Sequence, residues 1–224
     1  MRLIPVPSDG DRIDALDTMY PCSIEVVRGA ERTFSTPTST YYGMVLGGRA
    51  RVTGPGLSLE AESGTFFAMP GPVSVSSGEQ VVVIERLGFR GLPSAGRIES
   101  KGRLAYIDGC SDTILVMPPR QGDPVLNHLH FPAQIVQTLH RHPSVRLGVV
   151  ARGAGEAFGR NSAGHEWVKP LAEGSLFMLE PHEAHAFRTT GTAGMDVIAF
   201  HPDSDWGPRD EAHPMINRTY VTSS

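Results

Sequence analysis

Hydrophobic and polar residues follow one another along the chain in short runs that turn residues separate. In the first half these runs include YYGMVLGGRARVTG, LSLEAESG and QVVVIERLGF, and in the second half VRLGVVARGAGEAFG, SLFMLEPHEAHAF and MDVIAFHP. Short runs rich in β-branched and aromatic residues at this spacing predict the strands of an all-β sandwich or barrel. Because 25 glycines and 18 prolines interrupt the 224 residues, we expect helices to be few and short.

The runs of the two halves also align with each other. When Gly43 is placed over Gly148, Val45 falls on Val150, and the segment that starts at Gly64 matches the one that starts at Gly174 with one inserted residue. A repeat offset of about 105 residues is typical of duplicated domains rather than of a solenoid. We therefore predict two domains, with a barrel and the connection in residues 1–112 and a second barrel and a C-terminal tail in residues 113–224.

Charge and composition exclude several classes of protein. The net charge is −4 and the basic residues are scattered, so the electrostatic footprint of a nucleic-acid binder is missing. No stretch approaches the roughly 20 apolar residues of a membrane span, and MRLIPVPSDGDRID reaches proline and charge before an apolar run of signal-peptide length. Two cysteines are too few for a disulfide framework. We expect a cytoplasmic protein that binds neither nucleic acid nor membrane.

The histidines are confined to the second half. All nine lie between His128 and His213, and two of them stand one residue apart in QTLHRHPSVRLG. On an extended strand His140, His142 and Arg146 share one face, because successive side chains point to opposite sides. An imidazole metal site is therefore expected in the second half alone, with a cation beside it.

The internal alignment compares these positions with the first half. The matching positions there carry Ser35 for His140, Pro37 for His142, Tyr41 for Arg146 and Ser74 for His185. We therefore expect the first half to lack metal ligands and to have a structural role.

These residues resemble the two motifs of the cupin superfamily. The first motif is His-x-His, three or four residues, glutamate and a later glycine; the second is glycine, about five residues, proline and then histidine. Here they correspond to His140-Arg-His142-Pro-Ser-Val-Arg146 with Gly153, and to Gly174-SLFMLE-Pro181-His-Glu-Ala-His185. The resemblance implies a bicupin, that is, two tandem double-stranded β-helix (jelly-roll) barrels, with arginine at the usual glutamate position.

The resemblance also implies a metal site. In similar cupins three histidines hold ferrous iron, which binds substrate and activates O₂. By this resemblance His140, His142 and His185 would bind one divalent transition metal, foremost Fe(II), with Zn, Ni, Mn or Cu as alternatives. Arginine cannot be deprotonated or act as a ligand, so Arg146 is predicted to face an anionic substrate. Its alternative role is a structural ion pair with Glu180 or Glu183.

Other residues near the motifs have less specific roles. His182 is a candidate fourth ligand, acid/base group or turn residue. Three residues are candidates to contact the metal-binding histidines and orient them without binding the metal: His130, Gln137 and Glu180. The second His-x-His, His128 and His130, lacks a partner motif and is not expected to form a separate metal site. The remaining histidines are expected in loop or capping roles: His165, His201 and His213.

The leading functional hypothesis is a mononuclear non-haem Fe(II) dioxygenase that acts on a small bidentate organic metabolite, with O₂ as a second substrate and a homodimer as the expected assembly. Two alternatives stay open. One is a non-oxidative metal-dependent isomerase, lyase or decarboxylase in which His182 moves protons. The other is a bicupin that binds a small ligand without catalysis.

Overall fold

The computed structural model describes residues 1–29, 31–161 and 163–209. His213 and the predicted C-terminal tail beyond residue 209 lie outside the described residues. Within these ranges the chain consists of strands, turns and one 3₁₀ turn at Ile107–Gly109, so the predicted all-β class is confirmed. No helix in the described ranges is long and apolar enough to span a membrane.

The first half of the chain contributes eleven strands. They are β1 (Arg2–Ile4), β2 (Arg12–Ala15), β3 (Cys22–Arg28), β4 (Glu31–Phe34), β5 (Thr40–Val45), β6 (Arg49–Gly54), β7 (Leu57–Glu62), β8 (Thr65–Pro70), β9 (Val73–Ser77), β10 (Gln80–Arg86) and β11 (Ser94–Arg97).

The described part of the second half contributes eight more. They are β12 (Leu104–Ala105), β13 (Ser111–Val116), β14 (Val125–Phe131), β15 (Arg146–Arg160), β16 (Glu166–Ala172), β17 (Leu176–Leu179), β18 (Ala184–Arg188) and β19 (Met195–His201).

These strands form three sheets, and the strands of the two halves pair in the same way. One sheet has the order β11-β8-β5-β10-β3-β2, and a smaller one has the order β4-β9-β6-β7. In the second half the order β17-β15-β19-β14-β13 repeats the larger sheet. The long strand β15 continues into pairs with β16 and β18, which correspond to β7 and β9.

Two glycines confirm the alignment of the halves. Gly43 pairs with Phe67 and Gly148 pairs with Phe177 in matching ladders. A Cβ on either glycine would overlap the ring of its partner phenylalanine. The same close approach of a phenylalanine ring to bare backbone therefore occurs at matching positions of the two halves, and only glycine permits it.

The strands do not divide between the two halves at the predicted domain boundary. β13 covers residues 111–116, so the boundary at 112 falls inside a strand. β1 pairs with β17 of the second half, whereas β11 of the connection pairs with β8 of the first half. Each half therefore has one outer strand that comes from a distant or connecting part of the chain.

Apolar side chains form three cores. One lies inside the first half around Tyr41 and Phe67, and another lies inside the second half around Phe177 and Phe187. The third joins the larger sheets of both halves, where the rings of Tyr42 and Phe200 lie 4.9 Å apart. Since a fully buried large apolar side chain contributes about 1.5–3 kcal/mol, the third core ties the two halves together strongly.

Candidate metal centre

Three histidines of the second half converge through backbone pairing. His185 lies on β18 and forms an isolated bridge with His140, with N–H···O distances of 2.9 Å in both directions. The carbonyl oxygen of His142 accepts a 2.7 Å hydrogen bond from the backbone N–H of His182. The turn before β18 therefore positions His142 beside the other two imidazoles.

The three rings form a compact group. One ring nitrogen from each of His140, His142 and His185 lies within 4.8 Å of the others. Ring centroids are 4.7 Å apart for His140 and His185, and 5.2 Å apart for each pair that includes His142. This spacing fits three ligands that approach a single ion from one side.

The tautomers of two rings follow from their hydrogen bonds. Nδ1 of His140 lies 3.0 Å from the carbonyl oxygen of Thr138, and Nδ1 of His185 lies 2.8 Å from that of Glu183. A carbonyl oxygen only accepts, so both Nδ1 atoms carry the proton. The lone pair of each ring is then on Nε2, which is the arrangement of a histidine that binds a metal through Nε2.

Burial lowers the pKa of two of the three imidazoles. It lowers the pKa of His142 to about 3, and the positive charge of Arg146 acts in the same direction. Burial also lowers the pKa of His185 to about 4, although the hydrogen bond to Glu183 opposes this. Neutral imidazoles near pH 7 suit iron, copper, zinc or nickel and leave the full charge of a divalent ion in place.

A cavity of about 50 Å³ opens in front of the three histidines. Its wall contains both apolar and polar side chains. It is lined by Tyr106, Asp112, Asn127, Leu129, Gln137, His140, His142, Arg146, Phe177, Leu179, His185, Phe187, Val197, Ala199 and His201.

The strand predicted to carry the motif is shorter than expected. β15 begins only at Arg146, and residues 141–145 form an irregular segment. The shared strand face proposed for His140, His142 and Arg146 is therefore wrong, because Pro143 and the following bend interrupt the extended backbone. The three side chains still reach the same cavity, because the bridge to His185 and the start of β15 direct them there.

Arg146 is buried and lines the cavity, with a side-chain contact that the sequence did not indicate. Its Nη1 donates to Ser144 and to the carbonyl oxygen of Val145, and it lies 3.4 Å from Asp203 Oδ1. The alternative ion pair with Glu180 or Glu183 is wrong, since the acidic partner is Asp203.

His182 and Glu180 lie away from the cavity. His182 is exposed and occupies a left-handed turn with φ +60°, and it does not line the cavity. Glu180 is also exposed and lies 3.5 Å from Arg2 Nε. Of the three roles considered for His182, the turn residue matches this position.

Of the other two residues predicted to support the ligands, Gln137 lines the cavity and His130 does not. Gln137 is buried and lines the cavity; its Oε1 accepts from the backbone N–H of Phe187 at 3.3 Å, next to the ligand strand. His130 points to the opposite face of β14. There Asp196 Oδ1 accepts from His130 at 2.8 Å and from His128 at 2.9 Å. The second His-x-His thus forms a structural cluster around a carboxylate.

His201 is one of the cavity residues that the sequence did not predict. It was expected in a loop or capping role, but it ends β19 and its ring lies 5.9 Å from that of His142. Burial and the nearby charge of Arg146 lower its pKa well below the ordinary value. The internal repeat contained a signal, because the ladders place His201 where the first half has the buried residue Glu85.

The ladders also correct the register given for the first half. Val75 pairs with Val52 as Phe187 pairs with Ala157, so Val73, rather than Ser74, corresponds to His185. Val73 pairs with Phe34, which thereby takes the place of His140 instead of Ser35. A buried apolar pair fills the position of two ligands, whereas Tyr41 matches Arg146 as predicted.

Asp112 provides a test of the cavity's polarity. Burial raises the pKa of its carboxyl to about 6, and a hydrogen bond from Asn127 offsets this only in part. A carboxyl whose pKa is higher in the folded state costs stability as the pH rises through that pKa. In metal-free protein, Asp112→Asn should therefore raise the unfolding free energy at pH 8 by about 1 kcal/mol, because Asp112 is partly accessible to solvent and screened.

The measurement is urea unfolding at pH 4 and pH 8. At pH 4, where the folded carboxyl is largely protonated, the two proteins should differ less. An equal difference at both pH values would contradict the raised pKa.

Comparisons with known proteins establish the fold. No family model matches the chain, and no curated protein matches its sequence. Among solved structures, a cupin 2 conserved barrel domain protein from Leptotrichia buccalis aligns with a TM-score of 0.60 at 15% identity, covering 89% of this chain and 95% of that one.

Two further structures agree. Oxalate decarboxylase from Bacillus subtilis, a protein with Mn(II) centres, aligns with a TM-score of 0.60 at 10% identity over 92% of this chain and 76% of that one. AerE from Microcystis aeruginosa gives 0.58 at 12% identity over 89% and 95%. The chain therefore has an all-β cupin barrel fold, which confirms the fold part of the sequence prediction.

Proposed function

We propose that this chain is a metal-dependent bicupin enzyme in which His140, His142 and His185 hold one divalent transition metal, with Fe(II) as the favoured ion. The observation that carries the proposal is the convergence of three imidazoles, two with Nε2 lone pairs fixed by their hydrogen bonds, on a cavity. The first half, whose matching positions hold Phe34 and Val73, is proposed as a second barrel with a structural role.

The proposed reaction is dioxygenation of a small organic molecule with two neighbouring donor atoms. When bound, a ferrous ion supplies Lewis acidity toward the substrate and electrons for O₂ reduction. The residues of the chain supply the rest. Phe177, Phe187 and Leu179 would restrict water, and the fixed charge of Arg146 would attract an anionic group of the substrate.

The test is elemental analysis followed by oxygen uptake. Anaerobically purified protein should bind about one Fe(II) per chain, as expected for one group of three ligands. It should then consume O₂ with at least one member of a panel of bidentate metabolites. Bound iron without oxygen uptake across a broad panel would argue against dioxygenation, and absence of metal affinity would remove the metal-dependent reading altogether.

A non-oxidative reaction is the second candidate, and Asp112 favours it. An isomerase, lyase or decarboxylase needs a group that holds and releases a proton near pH 7, and burial raises the pKa of Asp112 in the cavity to about 6. His182, the group first considered for that task, is exposed outside the cavity. Bacillus subtilis oxalate decarboxylase shares the fold and has Mn(II) centres. Turnover without O₂ would support this candidate.

Arg146→Gln separates substrate binding from metal binding. The variant should retain its metal and lose about 10- to 1000-fold in turnover, because it removes a fixed positive charge from the cavity. Metal content and oxygen uptake measure the two effects. Arg152→Gln is the control, since Arg152 pairs with Asp196 in the structural cluster on the opposite face of β14. Metal loss from folded Arg146→Gln would instead assign the arginine a role in supporting the ligands.

The homodimer and the cytoplasmic location stay predictions. Light scattering of the purified full-length chain tests the first.

A further inference from the structure

Unpaired polar atoms are concentrated in the histidine cavity. Across the described part of the chain, six buried side-chain nitrogen or oxygen atoms have no hydrogen-bond partner. Three of these belong to cavity residues: Asp112 Oδ1, Asn127 Oδ1 and Arg146 Nε. Folded proteins pair most such atoms, since an unpaired one costs about 1–3 kcal/mol. Three unpaired polar atoms in one small cavity indicate that these atoms form hydrogen bonds to a bound ligand.

Two of the three atoms are acceptors on neighbouring strands. Asn127 Nδ2 donates to Asp112 Oδ2 at 2.9 Å, which fixes the side chains of β13 and β14 against each other. This bond uses one oxygen of the carboxylate and the nitrogen of the amide. Asp112 Oδ1 and Asn127 Oδ1 then remain to accept hydrogen bonds, so this side of the cavity selects a hydroxyl or amino group.

The third atom is a charged donor. Nη1 of Arg146 is occupied by Ser144, Val145 and Asp203, which holds the guanidinium in place. Arg146 as a whole is 8% exposed. Its Nε atom is buried and has no hydrogen-bond partner among the described residues. A guanidinium always carries its charge, so this side of the cavity selects an anion.

The size of the cavity limits how far apart the two ligand groups are. A water molecule needs at least about 10–15 Å³ of such volume, so 50 Å³ holds about four waters or a ligand with a similar number of heavy atoms. A ligand of that size must carry its hydrogen-bond donor close to its anionic group.

We propose that the cavity binds a small carboxylate with a hydroxyl or amino group on the adjacent carbon. Arg146 Nε donates to the carboxylate, and Asp112 and Asn127 accept from the hydroxyl or amino group. This inference rests on the proposed function, since it names the substrate class of the same site.

The experiment uses the full chain loaded with Co(II), whose visible absorption reports ligands near the ion. Glycolate and glycine carry both groups, whereas acetate lacks the hydrogen-bond donor and ethylene glycol lacks the anion. Glycolate can chelate Co(II) by itself, so the diagnostic quantity is the change in its affinity caused by a variant. Asn127→Leu should weaken glycolate or glycine binding about tenfold and change acetate binding less than about twofold.

A second variant and a control separate the outcomes. Asp112→Asn keeps an acceptor but removes the charge, so it should weaken glycine more than glycolate if the ligand is an amino acid. Thr113→Val, next to Asp112 on β13 but outside the cavity lining, should change neither affinity. Equal effects of Asn127→Leu on glycolate and acetate, or none, with Co(II) bound, would overturn the inference alone. Failure of the wild-type chain to bind Co(II) would overturn the proposed function as well.

Discussion

His185→Ala is expected to lower the affinity for a divalent metal by at least about 100-fold, because removal of a mere supporting partner of a ligand already costs about 10- to 100-fold. His185 is 2% exposed, and its Nδ1 proton is fixed on the carbonyl oxygen of Glu183. Two remaining imidazoles would hold an ion far less tightly. Competition against a chromophoric chelator measures the affinity.

His165→Ala is the control for this variant. His165 is exposed in the turn between β15 and β16, where its backbone N–H donates to Asn161 Oδ1. Its replacement should leave metal affinity unchanged. Unaltered affinity in both His185→Ala and His142→Ala would show that the three histidines are not the ligands.

Asp196→Ala is expected to have the largest effect on stability, about 2–3 kcal/mol, because it leaves the buried Nε2 of His128 without its hydrogen-bond partner. Asp196 accepts from His128, which has no exposed surface, and from His130, and it lies 2.7 Å from Arg152 Nε. Burial alone would raise the pKa of Asp196, yet these partners hold it below its ordinary value. The midpoint of urea unfolding near pH 7 measures the loss.

The matched surface variant is Asp14→Ala. Asp14 pairs with Arg12 at 2.6 Å in a largely exposed position, so the variant should cost less than about 1 kcal/mol. Folded Asp196→Ala should retain metal, since the cluster lies on the opposite face of β14 from the cavity. Metal loss from the folded variant would mean that the second His-x-His takes part in the metal centre.

The sequence was informative where one local motif carries the structure. His140, His142 and His185 stand in two short motifs, and Gly43 and Gly148 align in the internal repeat, so these features were predictable. Asp112, Asn127 and His201 reach the cavity from three different strands. Their convergence depends on strand register across long separations, which alternation along the chain cannot give.

The incorrect sequence predictions also have local causes. Proline and a bend after His142 interrupt the extended backbone that the parity argument assumed. A shift of one residue in the first-half alignment exchanged the outward Ser74 for the inward Val73, because neighbouring residues of a strand face opposite sides. The sequence alignment therefore matched two serines to His140 and His185 and missed the apolar pair of Phe34 and Val73.

The pairing of β1 with β17 also orders the events of folding during synthesis. Leu3 pairs with Phe177, so β1 waits for this partner until β17, about 170 residues later in the chain, has been made. The sheet of the first half, by contrast, can close with β11 soon after residue 97 is made. Such a distant contact forms late, because a long loop must close before pairing stabilises it. The half that carries the histidines is then completed by a strand that was made long before it.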